Sequence, residues 1–287
     1  MHDTIAVLER PHGPLPPLAP ARPARPRRPA APAATRPALT VRWARDEGDL
    51  RQAQALRYRV FVDELGARIA PPRGTPAGLD ADLFDPFCEH LLVTAGEGGP
   101  AAAQAAPEVI GTYRVLTPDA ARRAGGYYSE TEFDLTRLRP LRPQLVELGR
   151  SCVHPDWRDG ATILLLWGAL ADFMARNRLT TMIGCASVGM RDGGHGAADL
   201  WTRLAATHMA PIELRVRPRL PLPVEELVTG RTVEPPPLVA GYLRCGARLL
   251  GAPAWDPDFG TADLPLMLRL ADLPGRYRRH FLGGGPG

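Results

Sequence analysis

The alternation of hydrophobic and polar positions changes character at about residue 39. From there "LTVRW" alternates as a strand does, and Asp46 or Asp49 can cap a helix from about Leu50 to Leu65, which Gly66 stops. A proline- and glycine-rich loop runs through Asp85. "HLLVTA" (90–95) and "VIGTYRVL" (109–116) read as partner strands joined by a Gly/Ala hairpin insertion at 96–107. "LVELGRSCV" (145–153) predicts another strand, and the loop "HPDWRDG" feeds a helix over 161–176. That helix is apolar all round, the pattern of a buried one. "TMIGCASV" (181–188) reads as a further buried strand, followed by a helix at 197–207 and a strand at 212–217. "PLVAGYLRCG" is helical and ended by Gly246, and "LPLMLRL" (264–270) is a final strand. Strands with interspersed helices, including a strand–loop–helix–strand unit at 145–188, predict one α/β domain over 39–287.

Residues 1–38 are different in kind. They hold ten prolines among alanine and arginine, have little to bury, and are expected to form a mobile polyproline-like tail. Six arginines against two acids place the whole formal charge of +4 in this segment and leave the body neutral. A neutral body argues against nucleic acid as a partner, whereas the tail suits either loose contact with an anionic membrane surface or an untethered extension. The four cysteines lie far apart, with no Cys-x-x-Cys pair, so neither a zinc site nor a disulfide framework is expected. No apolar signal core opens the chain, and the run Ala161–Ala171 is shorter than the ~20 residues of a membrane span. The expected location is the cytoplasm, with peripheral contact at the inner face of the membrane left open.

Charged residues among apolar neighbours mark the candidate chemistry. Glu147 and Arg150 interrupt the strand 145–153, and Arg114 interrupts "GTYRVL". Such groups are costly there unless paired or working. Arg57 and Phe61 fall four apart on one helix face, and Asp80, Asp82 and Asp85 cluster in one loop with too few regular oxygen ligands for a calcium site.

"LRYRVFVDELGA", "DADLFDPFCEHLLV", "VIGTYRVL", "YYSETEFDL", "ELGRSCVHPDWRDGATILLLWGAL" and "GCASV", in this order, resemble the bacterial ornithine N-acyltransferases of the GNAT superfamily. "GYLRCGARLLGAPAWDPDFGTAD" is similar to that family's C-terminal signature, so the resemblance covers roughly 40–281. It implies a GNAT-like fold, a mixed central sheet flanked by helices. More distantly, the chain resembles the acyl-homoserine-lactone synthases in Arg57, Phe61, the acid loop, Arg114, Phe133, Glu147 and Arg150. Ala67 stands where those enzymes carry a tryptophan, which argues against a pocket for S-adenosylmethionine.

The family resemblance implies transfer of a (3-hydroxy)fatty acyl group from the phosphopantetheine thioester of acyl carrier protein to the α-amine of L-ornithine, giving lyso-ornithine lipid. No bound cofactor or metal is implied. An α-amine has a pKa near ~8 and must lose a proton to attack, a step for which a general base is worth roughly 10²–10⁴-fold. Glu147 is the candidate base, and Arg150 either fixes its carboxylate or binds a substrate carboxylate. A bulge near Ser151–Val153 would supply the oxyanion donor, and Tyr242, four residues before Gly246, the general acid. Arg57, Phe61, Asp82, Asp85, Arg114, Phe133 and Ser151 are the candidate substrate-binding residues, with the aspartates for the δ-ammonium. Val153, Arg158, Gly160, Ala161 and Thr162 are the candidates for the phosphopantetheine phosphate. Ala161 stands where acetyl-CoA enzymes have glycine, which favours a carrier-protein donor. Arg122, Arg123, Arg137, Arg139 and Arg142, or Arg215, Arg217 and Arg219, would dock the acidic carrier. The alternatives are another acceptor (glycine, glutamine or lysine), a homoserine-lactone synthase, and a catalytically silent carrier-binding module.

Overall fold

Most of the strand-forming segments join into one mixed sheet. In the computed structural model, residues 37–96 and 107–282 are described. The tail expected over 1–38 therefore lies outside the described residues up to position 36, as does nearly all of the insertion at 96–107. β1 (Leu39–Trp43) leads into α1 (Glu47–Tyr58), capped by Asp46, which accepts the Asp49 N–H at 2.9 Å. The predicted helix continues past Tyr58 as a π-helical turn, Arg59–Glu64, and Gly66 at φ +81° ends it. β2 (Glu89–Ala95), β3 (Glu108–Leu116), α2 (Pro118–Ala124) and the short β4 (Phe133–Asp134) follow. Then come β5 (Leu145–Val153), α3 (Ala161–Arg176), β6 (Thr181–Gly189) and α4 (His195–His208). β7 (Arg217–Pro218), α5 (Val224–Leu227), α6 (Pro237–Arg244), β8 (Arg248–Leu249), β9 (Ala254–Asp256), β10 (Thr261–Arg269) and α7 (Gly275–Leu282) complete the order.

The main sheet runs β1-β2-β3-β5-β6-β10-β8, with β9 on β10 and β4 paired with β7 apart from it. Alternate side chains of β2 face opposite sides, so Leu92 packs with α1 while Leu91 and Val93 pack with α3. The expectation that α3 is buried all round is corrected. Its buried positions form one stripe, Thr162, Leu166, Leu170, Ala171 and Met174, and Leu164 is 46% exposed, because the helix covers one face of the sheet. The strand expected at 212–217 is a 3-10 turn at Ile212–Leu214 and then two residues of β7. Pro211 and Pro218 flank that run and cannot donate to a ladder. Among the described residues no helix is long and apolar enough to cross a membrane.

One feature of the pairing positions the site. β5 and β6 are parallel and nine residues each, yet they pair only over Leu145–Glu147 against Thr181–Ile183. Beyond that point β6 remains paired with β10 along its whole length. The sheet therefore opens between β5 and β6.

Candidate active site

A cavity of about 380 Å³ fills that opening. Much of its wall is apolar, including Leu148, Trp167, Met182, Leu238 and Leu266, and it also takes in Glu147, Arg150, Glu132 and Asp263. An apolar channel with convergent polar groups is the usual form of a small-molecule site.

Glu147 is 4% exposed and sits in the cavity wall. Its Oε1 accepts the Ser129 N–H at 2.7 Å and the Ser129 hydroxyl, and its Oε2 accepts the Tyr128 N–H at 2.6 Å. The carboxylate thus holds the start of the 3-10 turn Tyr128–Thr131. Burial raises its pKa above the ordinary value, while these donors pull the other way. A carboxylate has about four acceptor positions, so one on Oε2 remains for a water or an amine.

Arg150 adopts φ +49°, in the left-handed region that non-glycine residues rarely enter. The cause is a bulge: Thr112 and Arg114 of β3, two apart, face Cys152 and Gly149 of β5, three apart. The bulge falls at Arg150–Ser151, at the start of the predicted position. The Arg150 guanidinium lies between the rings of Tyr128 (5.2 Å) and Phe259 (4.8 Å) and donates to Asp82 at 3.1 Å. Among the described residues no hydrogen bond or ion pair joins it to Glu147, so the first of its two expected roles is not seen.

The acid loop is corrected as a free receptor. Arg57, fully buried, donates to Asp80 at 2.9 Å and to Asp85 at 3.0 and 2.6 Å. Arg114 donates to Asp82 at 2.7 and 2.6 Å and to Asp85 at 2.9 Å, and Gln54 adds a bond to Asp85 at 2.9 Å. Burial alone would raise the Asp82 and Asp85 pKa values, but Arg114 and Arg57 respectively outweigh it and hold both below the ordinary range. These aspartates are spent on arginines and are not left to grip an ammonium. Phe61 reaches the cavity, edge-on to Phe259 at 5.9 Å, because the π-turn carries it past the Arg57 network. Phe133 does not reach it: fully buried, it packs with Leu116, Tyr127 and Leu138 in the core.

Tyr242 lines the cavity from α6, stacked on Trp167 at 5.4 Å and hydrogen-bonded to the Tyr113 hydroxyl. Burial raises its pKa well above the ordinary value, and Ser151 stands close enough to both tyrosines to temper that rise. A protonated phenol therefore stands at the bulge.

The loop before α3 departs from expectation in two side chains. Arg158 is held by Glu64 through two bonds of 2.6 and 2.7 Å, with its Nε on the Val153 carbonyl at 3.0 Å. Thr162 is fully buried and packs so closely on β3 that a Cβ at Gly111 would stand 2.5 Å from its Cγ2. Its hydroxyl bonds to the Trp157 carbonyl rather than facing a ligand. Gly160, at φ +96°, precedes α3, and the Ala161 N–H donates to Asp159 at 3.1 Å. Only the backbone of this turn remains to meet a phosphate.

Sequence reasoning missed Tyr128, Ser129, Phe259, Glu132 and Asp263. Glu132 and Ser129 lie inside the quoted "YYSETEFDL", but only the tertiary pairing of β6 with β10 places Asp263 beside them.

Residues 56–168 match a family model described as an acetyltransferase (GNAT) domain. The L-ornithine N(alpha)-acyltransferase of Agrobacterium fabrum (strain C58) is 35% identical over 256 residues, 85% of each chain. The enzyme of the same name from Rhodobacter capsulatus is 36% identical over 250 residues, 84% of this chain and 93% of its own. Among solved structures, FeeM, an N-acyl amino acid synthase from uncultured soil microbes, shares the fold. Its TM-score is 0.50 at 11% identity, over 83% of this chain and 96% of that one.

Proposed function

The chain belongs to the L-ornithine N(alpha)-acyltransferase family, and we propose that it moves a (3-hydroxy)fatty acyl group from the phosphopantetheine thioester of acyl carrier protein to the α-amine of L-ornithine. The observation that carries this reading is the cavity between β5 and β6, whose wall is apolar enough for an acyl chain and presents Glu147, Arg150 and Tyr242 to one space. The amine nitrogen attacks the thioester carbonyl; a C–N bond forms and the C–S bond breaks. Glu147 takes the amine proton, directly or through a water on Oε2. Arg150 and Ser151 stand out of the β3 ladder at the bulge, which leaves backbone N–H groups for the oxyanion. Tyr242 returns a proton to the departing thiolate, with Tyr113 fixing its hydroxyl.

Carrier protein as donor is supported by charge. Arg158 is committed to Glu64, which leaves the turn before α3 suited to a single phosphodiester rather than to a polyphosphate. The β4–β7 ladder also brings the two arginine runs together: Asp134 pairs with Arg217, and Arg137 donates to the Ile212 carbonyl at 2.7 Å. Arg137, Arg139, Arg217 and Arg219 are exposed there, a face suited to an acidic carrier.

The test is purified protein with 3-hydroxyacyl carrier protein and a panel of amino acids, following thiol release. Turnover with ornithine is expected. Turnover with acyl-CoA alone would overturn the donor assignment.

A further inference from the structure

The acids of this cavity are not equivalent. Glu147 is held by three donors, and outside the cavity wall Asp80, Asp82 and Asp85 are bound to Arg57, Arg114 and Arg150. Glu132, Asp256 and Asp263 also line the cavity, and none of them takes part in an ion pair among the described residues. We propose that Glu132 and Asp263, with Asp256 beside them, are the receptor for the side-chain ammonium of the acceptor amino acid. This rests on the reading of the acceptor as ornithine and deepens it: it names the residues that separate a dibasic acceptor from a neutral one.

Geometry supports the assignment. Asp263 is 4% exposed on β10, opposite Ser187 of β6, and Glu132 enters from the turn before β4. One ligand atom each of Glu132, Asp263 and Cys185 lies within 4.8 Å of the others. Independently of that clustering, Glu132 Oε2 is enclosed and has no hydrogen-bond partner among the described residues. Asp263 accepts the Thr261 hydroxyl at 3.0 Å, and Asp256 accepts the N–H groups of Asp258 and Phe259 at 2.9 and 3.0 Å. An ammonium has three donors and no acceptor, the complement of such a set.

The receptor is also next to the reaction. The Ser129 hydroxyl bonds to Glu147 and lies 3.5 Å from the Cys185 sulfur, which adjoins both acids. Ser129 and Cys185 thus connect Glu147 to the two acids, so an α-amine at Glu147 and a side-chain ammonium at Glu132 and Asp263 would belong to one acceptor molecule.

Electrostatics agree. Burial, then the neighbouring Asp263 and Asp256, raise the Glu132 pKa, and burial raises that of Asp263. The titratable groups around the two acids are Asp256, Cys185 and Tyr128, with Ser129, Ser187 and Thr261 as hydroxyl partners. An arriving ammonium would stabilise the two carboxylates that burial disfavours, and any proton it displaces leaves to solvent. Burial raises the Cys185 thiol well above its ordinary pKa.

The experiment compares ornithine with norvaline, the same chain without the terminal amine, as acceptors for acyl carrier protein. Asp263→Asn and Glu132→Gln are each expected to lower the ornithine-to-norvaline ratio of kcat/KM roughly 10- to 100-fold, mainly through KM for ornithine. Asp263→Glu keeps the charge and should retain discrimination against norvaline. Should Asp263→Asn fail to fold in a thermal melt, Glu132→Gln carries the test. Wild-type enzyme that acylates norvaline as readily as ornithine overturns the reading of the acceptor itself. Wild-type preference for ornithine that survives in both variants overturns the receptor alone, as does a zinc-induced rise in melting temperature that these variants abolish.

Discussion

Gly184 and Leu148 meet where β5 and β6 part: a Cβ on Gly184 would stand 2.3 Å from the Leu148 carbonyl oxygen. Backbone on backbone at that distance cannot be relieved by a rotamer change. The two strands can come this close just before the cavity because position 184 has no side chain. Gly184→Ala is therefore expected to cost about 1–3 kcal/mol, read as a lowered midpoint in chemical unfolding. An unchanged midpoint would show that the strands can part without strain.

The acid-loop network predicts a contrast between buried and exposed pairs. Arg57→Ala leaves Asp80 and Asp85 buried without their cation, and about 3–5 kcal/mol of stability should be lost. Arg158→Ala removes a half-exposed pair with Glu64 and should cost no more than about 1 kcal/mol. Equal losses from the two would sink the structural role given to Arg57.

The same network predicts acid sensitivity. The Asp82 and Asp85 pKa values are lowered in the fold, and Asp49, held by Arg42, is lowered to about 2. An acid whose folded pKa lies below its unfolded one contributes fully above the unfolded value and loses that contribution as pH falls through the folded one. The contribution of these three aspartates should thus be flat down to about pH 5 and fall steeply below about pH 4. Asp85→Asn should flatten that fall.

For Glu147, replacement by Gln is expected to lower kcat roughly 10²–10⁴-fold. Burial raises its pKa, so the acidic limb of the kcat/KM profile should lie above the ordinary glutamate range and vanish in the variant. The same change turns an amide toward the Tyr128 and Ser129 N–H groups, so a melt must accompany the kinetics. Full turnover by folded Glu147→Gln protein would remove this residue from the chemistry.

Tyr242 and Tyr113 separate by role. Tyr242→Phe removes the phenol that faces the cavity and should lower kcat at least tenfold, most at high pH, with KM for ornithine unmoved. Tyr113→Phe keeps the Tyr242 phenol and should have the smaller effect. The reverse order would make Tyr113 the proton donor.

Local pattern determined much of this protein. The strands at 145–153 and 181–189 and the helix at 161–176 follow from runs of apolar residues bounded by Gly160, Asn177 and neighbouring polar turns. The Asp46 cap and the glycine stop at 66 are likewise chemistry between near neighbours. Glu147, Arg150 and Arg114 were legible as anomalies because a charge amid apolar neighbours must be paired or at work. Their partners were not legible. Whether Asp82 faces an arginine or a substrate depends on a loop 32 residues away in sequence from Arg114 folding back onto the sheet. Likewise, α3 looked buried all round because its composition is apolar, yet only its packing on β2 and β3 decides which face meets solvent. Charge pairing and strand parting act through space, across residues far apart in the chain. The sequence therefore named the charged side chains, and the tertiary structure alone decided which of them are spent on each other and which remain for a ligand.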